Sequence, residues 1–173
     1  MTVHLILSDK TSKAKEKVEL LCVGLLNNTL PLCNFIEEIQ LAKDSIKATC
    51  IEALAHVAKQ NPKVLSEEIL LLLIEHLASK APRIKWECAQ AIGYSISHFP
   101  NHSQLAIEYL VANMNHEGTV VRWSTAFALG EILRLNQSTA PFLSSLLKDQ
   151  LEKEEKKSIQ KIYQQALANA IQS

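Results

Sequence analysis

The sequence predicts an all-α solenoid of about four two-helix repeats, and three observations carry that prediction. Helix-favouring residues dominate the composition, one residue pattern recurs every 37–38 positions, and prolines fall at the joints between the recurring units. The chain has 173 residues, 47% of them hydrophobic, with only four glycines and five prolines. Leu, Ala, Ile, Lys, Glu and Gln are abundant, and these residues lose little freedom in a helix. No stretch alternates apolar and polar residues for long enough to make a half-buried strand.

Along the chain, the opening MTVHLILSDK holds only a brief apolar run. It has neither a basic leader nor a long apolar segment, so it reads poorly as a signal peptide. A capping helix is predicted within residues 12–27, with Val18, Leu21, Cys22 and Leu25 at helical spacing. Repeats follow at about 31–61, 64–99, 102–136 and 139–171, in one domain spanning 1–173. Their first helices are read at 32–41, 66–78, 103–114 and 140–149. Their second helices are read at 44–60, 82–98, 119–136 and 153–171.

The punctuation agrees with this division. Pro62 and Pro100 stop second helices, while Pro31, Pro82 and Pro141 suit first-turn positions. The last helix gathers Ile159, Ile162, Tyr163, Ala166, Leu167 and Ala170 on one stripe. Glu154, Lys157, Lys161 and Gln164 are expected on its other side, as the polar outer face of a terminal unit.

The repeat is clearest in the second helices. DSIKATCIEALAHVAKQNP, PRIKWECAQAIGYSISHFP and TVVRWSTAFALGEILRLN align without gaps. The basic residues Lys47, Lys85 and Arg122 lie 38 and 37 positions apart, and so do Ala53, Ala91 and Ala128. A fourth copy places Ala166 a further 38 on. The segments IKWECAQAIG and VRWSTAFALG resemble the second helix of HEAT repeats, from about residue 32 to the end. That resemblance implies a right-handed alpha-alpha superhelix whose second helices line a concave surface. It also implies that the basic residue of each unit meets an acid. Asp44 keeps the acidic position, which Pro82, Thr119 and Lys157 replace in later copies.

Column by column, Ile84, Cys88, Ala91, Ile92, Ser95 and Phe99 fall on one face of their helix. Val121, Thr125, Ala128, Leu129 and Ile132 match them in the next. On the opposite face the columns read Ala48, Trp86, Trp123, Lys161; then Glu52, Gln90, Phe127, Gln165; then Lys59, Ser97, Arg134, Gln172. Two tryptophans thus share one position in adjacent repeats, beside Phe127. Aromatic side chains serve interfaces and cores alike, so they read either as a binding patch or as filling between helices. Lys85 and Arg122 read either as a basic stripe or as bridges between repeats.

Catalytic chemistry has little support. Lys+Arg and Asp+Glu are both 18, so bulk charge gives no pull toward nucleic acid or membrane. No Gly-rich phosphate loop or G-x-S-x-G elbow is present. His98 and His102 are separated by Pro100, so one helical face cannot present both to a metal. Cys22, Cys33, Cys50 and Cys88 form no C-x-x-C pair and are expected to be reduced and structural. Glu37-Glu38, Glu67-Glu68 and Glu154-Glu155 point about 100° apart as helix neighbours and read as solvated.

The expectation is therefore a cytoplasmic, non-enzymatic protein-interaction or scaffold module with no metal, no cofactor and no membrane association. It would hold a protein or peptide through Trp86, Trp123, Phe127, Gln90, Lys85, Arg122 and Arg134. The resemblance admits an alternative, nucleic-acid binding or lesion recognition as in HEAT-like alkylpurine DNA glycosylases. That function needs a basic track and an acid near the tryptophans, which only Glu87 or Glu131 could supply. HEAT-like bilin lyases are a further class, and no residue here points to their chromophore chemistry.

Overall fold

The computed structural model describes residues 2–135 and 140–171, and within them ten α-helices and no strand. They are α1 (Val3–Ser8), α2 (Ala14–Leu26), α3 (Leu32–Leu41), α4 (Asp44–Gln60), α5 (Glu67–His76), α6 (Pro82–Ser95), α7 (Ser103–Val111), α8 (Thr119–Leu135), α9 (Ala140–Lys153) and α10 (Lys157–Ile171). Asn136 and Gln172, assigned above to a helix end and to a column, lie outside the described residues.

The helices form two layers. The even-numbered helices pack on one another in chain order, α2 on α4, α4 on α6, α6 on α8 and α8 on α10. The odd-numbered helices α3, α5, α7 and α9 each lie against the following even helix. Even helices touch extensively, whereas α3, α5 and α7 meet one another only lightly. A layer whose members are close and a layer whose members splay must curve toward the close one. The even helices therefore make the inner surface.

The close approach follows from side-chain size. Ala53, Ala91 and Ala128 are fully buried where inner helices meet. Between the layers lie Phe35, Leu54, Ile69, Leu73, Ile92 and Leu129, each at 1% exposure or less. Burying such a side chain contributes roughly 1.5–3 kcal/mol, which is what holds the helix pairs together.

The start of the chain differs from expectation. The apolar run at residues 3–7 is a helix, α1, in which Val3, Ile6 and Leu7 are buried. The Thr2 hydroxyl caps it by accepting from the Leu5 N–H at 3.3 Å. Six residues are too few to show a period, so the sequence pattern could not reveal it. The array therefore opens on a helix pair, α1 with α2, where one capping helix was expected. After α2, Asn28 takes a positive φ of 55°, and Thr29 N–H bonds back to Gly24 O at 2.9 Å. This is a left-handed helix stop of the kind asparagine tolerates.

Two joints differ as well. Pro62 follows the end of α4 as expected and opens a short 3-10 turn, Pro62–Val64. By contrast, α6 already stops at Ser95, short of the expected residue 98, and passes through a 3-10 turn at Ile96–His98 before Pro100 opens another at Pro100–His102. Near the end, α9 runs on to Lys153 and α10 begins at Lys157. Glu154 is not on an outer polar face. Its side chain is 2% exposed and turned inward to Arg122. Its carboxylate also accepts from the Lys156 N–H at 2.9 Å, and its carbonyl from the Gln160 side chain at 2.5 Å. Those bonds break the charged run into two helices.

Candidate functional site

At Gly93 the inner helices α6 and α8 are built close together. A Cβ placed there would sit 2.5 Å from Phe127 Cε1 and 3.2 Å from the Ala128 backbone. The missing side chain lets the Phe127 ring seat on α6. Phe127 then stacks on Trp123, with centroids 6.0 Å apart and planes 18° apart, and meets Tyr94 at 4.9 Å with a 55° tilt. The Lys59 ammonium lies 5.8 Å from the Tyr94 ring centre, within cation–π range. Trp86, Gln90, Tyr94, Trp123 and Phe127 are all half-buried. Each ring thus packs on the chain and still presents surface to the solvent.

Trp86 is tied to Glu87, its indole N–H donating to the carboxylate at 2.8 Å. Glu87 is 8% exposed. Burial above all pushes its carboxyl up to about 7, and nearby Glu52 adds to that, while the Trp86 hydrogen bond and Arg83 oppose it. Arg83 pairs with Glu52 at 2.5 Å across α4 and α6. Glu131 pairs with the exposed Arg134 one turn away. The two acids near the tryptophans are therefore a buried carboxyl held by an indole and one side of an ion pair.

The basic column has internal partners. Lys85 Nζ donates to Leu77 O at 2.9 Å and to Asn113 Oδ1 at 2.7 Å. Arg122 makes a two-pronged contact with Glu154, at 2.9 and 3.2 Å, and donates to the carbonyls of His116 and Glu117. Both reach from one repeat into the next. Arg134 is the exposed member of the three basic candidates.

Three features escaped the column reading. Tyr94 lies one turn beyond Gln90 on the same face, and that step was the available signal. Asn113 and Gln150 are buried amides 37 residues apart. Their side-chain NH2 groups donate to Leu77 O and Met114 O, themselves 37 apart. Glu154 supplies the acid the repeat pattern asks of the base, from outside the expected column.

The remaining reactive groups sit in structural roles. Cys22, Cys50 and Cys88 are buried and unpaired, and burial pushes the first two thiols up to about 11 and about 12, and Cys88 well above its usual value. Cys33, expected in the core, is exposed. His102 bonds Glu67 at 2.5 Å and His4 bonds Glu38 at 2.9 Å, each linking two helices. Glu67 stays exposed, as expected of a solvated carboxylate, whereas Glu38 is largely covered in its pair with His4. Among the described residues no cluster of three or more His, Cys, Asp or Glu could hold a metal, and no helix is long and apolar enough to cross a membrane.

No protein-family model matches the chain, and no curated protein sequence does. Solved structures do. A designed armadillo repeat protein in complex with the peptide (KR)4 matches with TM-score 0.75 at 18% identity, over 96% of this chain and 79% of that one. The complex of CpcE and CpcF of phycocyanin lyase from Nostoc sp. PCC7120 matches with TM-score 0.71 at 17% identity, over 95% and 96%. An engineered protein matches with TM-score 0.66 at 18% identity, and this chain spans 37% of its length. At such identities the likeness shows the fold, an armadillo/HEAT-like alpha solenoid.

Proposed function

We propose that this chain is a non-catalytic binding module that holds a segment of a protein partner along its inner face, across α6 and α8. The single observation behind this reading is the half-open aromatic ladder. Trp86 and Trp123 occupy one position in adjacent inner helices, and Phe127 and Tyr94 extend the surface from Trp123. Half-buried aromatic side chains give large contact area at small entropic cost. Gln90 and Arg134 supply polar contacts at its edges. Lys85 and Arg122 support the site indirectly, by joining the repeats that carry it.

The spacing favours an extended segment. Packed helices lie about 8–10 Å apart. A polyproline-II-like strand returns to the same face every three residues, about 9 Å along. One side chain in three would then reach successive tryptophans. The armadillo repeat neighbour in complex with a peptide supports this mode of use. Four unpaired cysteines suit a reducing, cytoplasmic setting. Nucleic acid fits less well, because of the three bases expected to track phosphate Lys85 and Arg122 are engaged inside the chain and Arg134 is paired with Glu131.

The test is a pull-down with mass spectrometry using the wild type and the Trp86→Ala and Trp123→Ala variants, with circular dichroism to confirm folding. Partner capture should fall at least about tenfold in each variant, the size expected of an interface anchor. Capture should also respond only weakly to salt, unlike duplex binding. If every captured partner is retained by both variants, the aromatic ladder is not the site.

A further inference from the structure

The junction of α8 with α10 repeats that of α6 with α8, with one element missing. Gly130 stands 37 residues after Gly93, and Ala166 stands 38 after Ala128. A Cβ at Gly130 would meet Ala166 at 2.9 Å, just as one at Gly93 approaches Ala128. The same pair of repeat positions therefore meets at both places, with the alanine Cα 3.2 Å from the added Cβ at Gly93 and 4.0 Å from it at Gly130. At Gly93 the space beside that contact is filled by the Phe127 ring. The residue corresponding to Phe127 in α10 is Gln165, which is exposed and does not come within reach of Gly130.

What remains is a notch of about 180 Å³. Phe127, Gly130, Ile162 and Ala166 give its apolar lining, and Gln165, Asn169 and the Glu131–Arg134 pair its polar lining. An apolar cavity of about 150 Å³ accepts benzene, so this one has the size for a phenyl ring. It opens on the inner face and shares Phe127 with the aromatic ladder. We infer that the notch between α8 and α10 is a binding pocket for an aromatic side chain of the partner, a phenylalanine or its like, seated over Gly130 as Phe127 is seated over Gly93. The occupant is read from the molecule itself, since the equivalent notch one repeat earlier is already filled by a phenyl ring. The inference rests on the proposed inner-face binding only for the direction from which the partner arrives.

The probe is N-acetyl-phenylalanine methylamide, titrated at millimolar concentration into the full 15N-labelled chain. Saturable shifts are expected at the amides of Phe127, Gly130, Ile162 and Ala166, and N-acetyl-alanine methylamide should produce none. Gln165→Phe should fill the notch from within and weaken probe binding at least about tenfold. Gln165→Ala should leave the pocket open and binding intact. Trp86→Ala, one repeat away, should also leave it intact. No localised shifts in the wild type, or binding that survives Gln165→Phe, would overturn the inference. A probe that binds while partner capture ignores both tryptophan variants leaves the pocket standing and removes the proposed function. Capture that needs the tryptophans in a protein blind to the probe removes only the pocket.

Discussion

Two neighbouring junctions, α6 with α8 and α8 with α10, share a template and are finished differently. Both bring a glycine of one inner helix against the next, and both send a base across to the following repeat. The first junction ends on an uncharged acceptor and is filled. Lys85 ends on the Asn113 amide and Phe127 covers Gly93. The second is ionic and hollow. Arg122 ends on the Glu154 carboxylate and the space over Gly130 is open. The comparison teaches that the repeat specifies where a bridge starts and which helices it joins. It leaves open the chemistry at the far end, and that is where repeats become individual.

The largest difference should appear when each bridge loses its far end. Glu154→Ala leaves the Arg122 guanidinium, which is only 17% exposed, without its counter-charge and with the His116 and Glu117 carbonyls as its remaining acceptors. It should cost on the order of 3 kcal/mol in urea unfolding. Asn113→Ala leaves Lys85 its bond to Leu77 O, and about 1–2 kcal/mol is expected. Equal losses would mean that the ionic and amide bridges are the same device.

The pH dependence should split next. Burial raises the Glu154 carboxyl, but Arg122 and the Lys156 N–H lower it more, and the net shift is downward. Its stabilisation is therefore complete above about 4.5 and lost as pH falls through the lowered value. Glu87 runs the other way. With its folded value at about 7 against 4.5 unfolded, its contribution is complete below about 4.5 and fades as pH rises to 7, by on the order of 2–3 kcal/mol. Glu87→Gln should flatten the loss between pH 5 and pH 7, roughly that window, in a series of urea unfolding curves. A slope that persists in that variant would show that another group carries it.

The smallest contrast concerns the two glycines. Gly93→Ala presses on both the Phe127 ring and the Ala128 backbone, and should cost about 1–2 kcal/mol despite the better helix propensity. Gly130→Ala meets Ala166 alone within 3 Å, and should cost less than about 1 kcal/mol. Thermal unfolding measures the costs, and near-ultraviolet circular dichroism should change for Gly93→Ala because Phe127 stacks on Trp123.

The solenoid was legible because its core depends on residue size and period, and both are written in the chain. The helices at Leu32–Leu41 and Asp44–Gln60 have the bounds expected of them. The far ends of the bridges were not legible. Asn113 and Gln150 keep a chemical class but not an identity, so a search for repeated residues passes over them. Glu154 sits in EKEEKK, where composition indicates a solvated helix and only the distant Arg122 makes it a buried anchor. The tryptophan position was legible as a column. How each ring divides between packing and exposure depends on Gly93 and Tyr94, which no single-helix pattern weighs.

The bridge from Arg122 to Glu154 bears on how the molecule comes apart. In a linear array each unit is held by its neighbours. Here the link from α8 to the pair α9 and α10 is partly an acid-sensitive clasp. As pH falls below about 4.5, toward the lowered Glu154 value, the pair α9 and α10 should fray first, while the amide-bridged centre stays closed. Hydrogen exchange would then show protection retreating toward α6 before the whole chain melts. The proposed binding surface across α6 and α8 lies on the amide-bridged side of that clasp, and the notch over Gly130 lies on the acid-sensitive side.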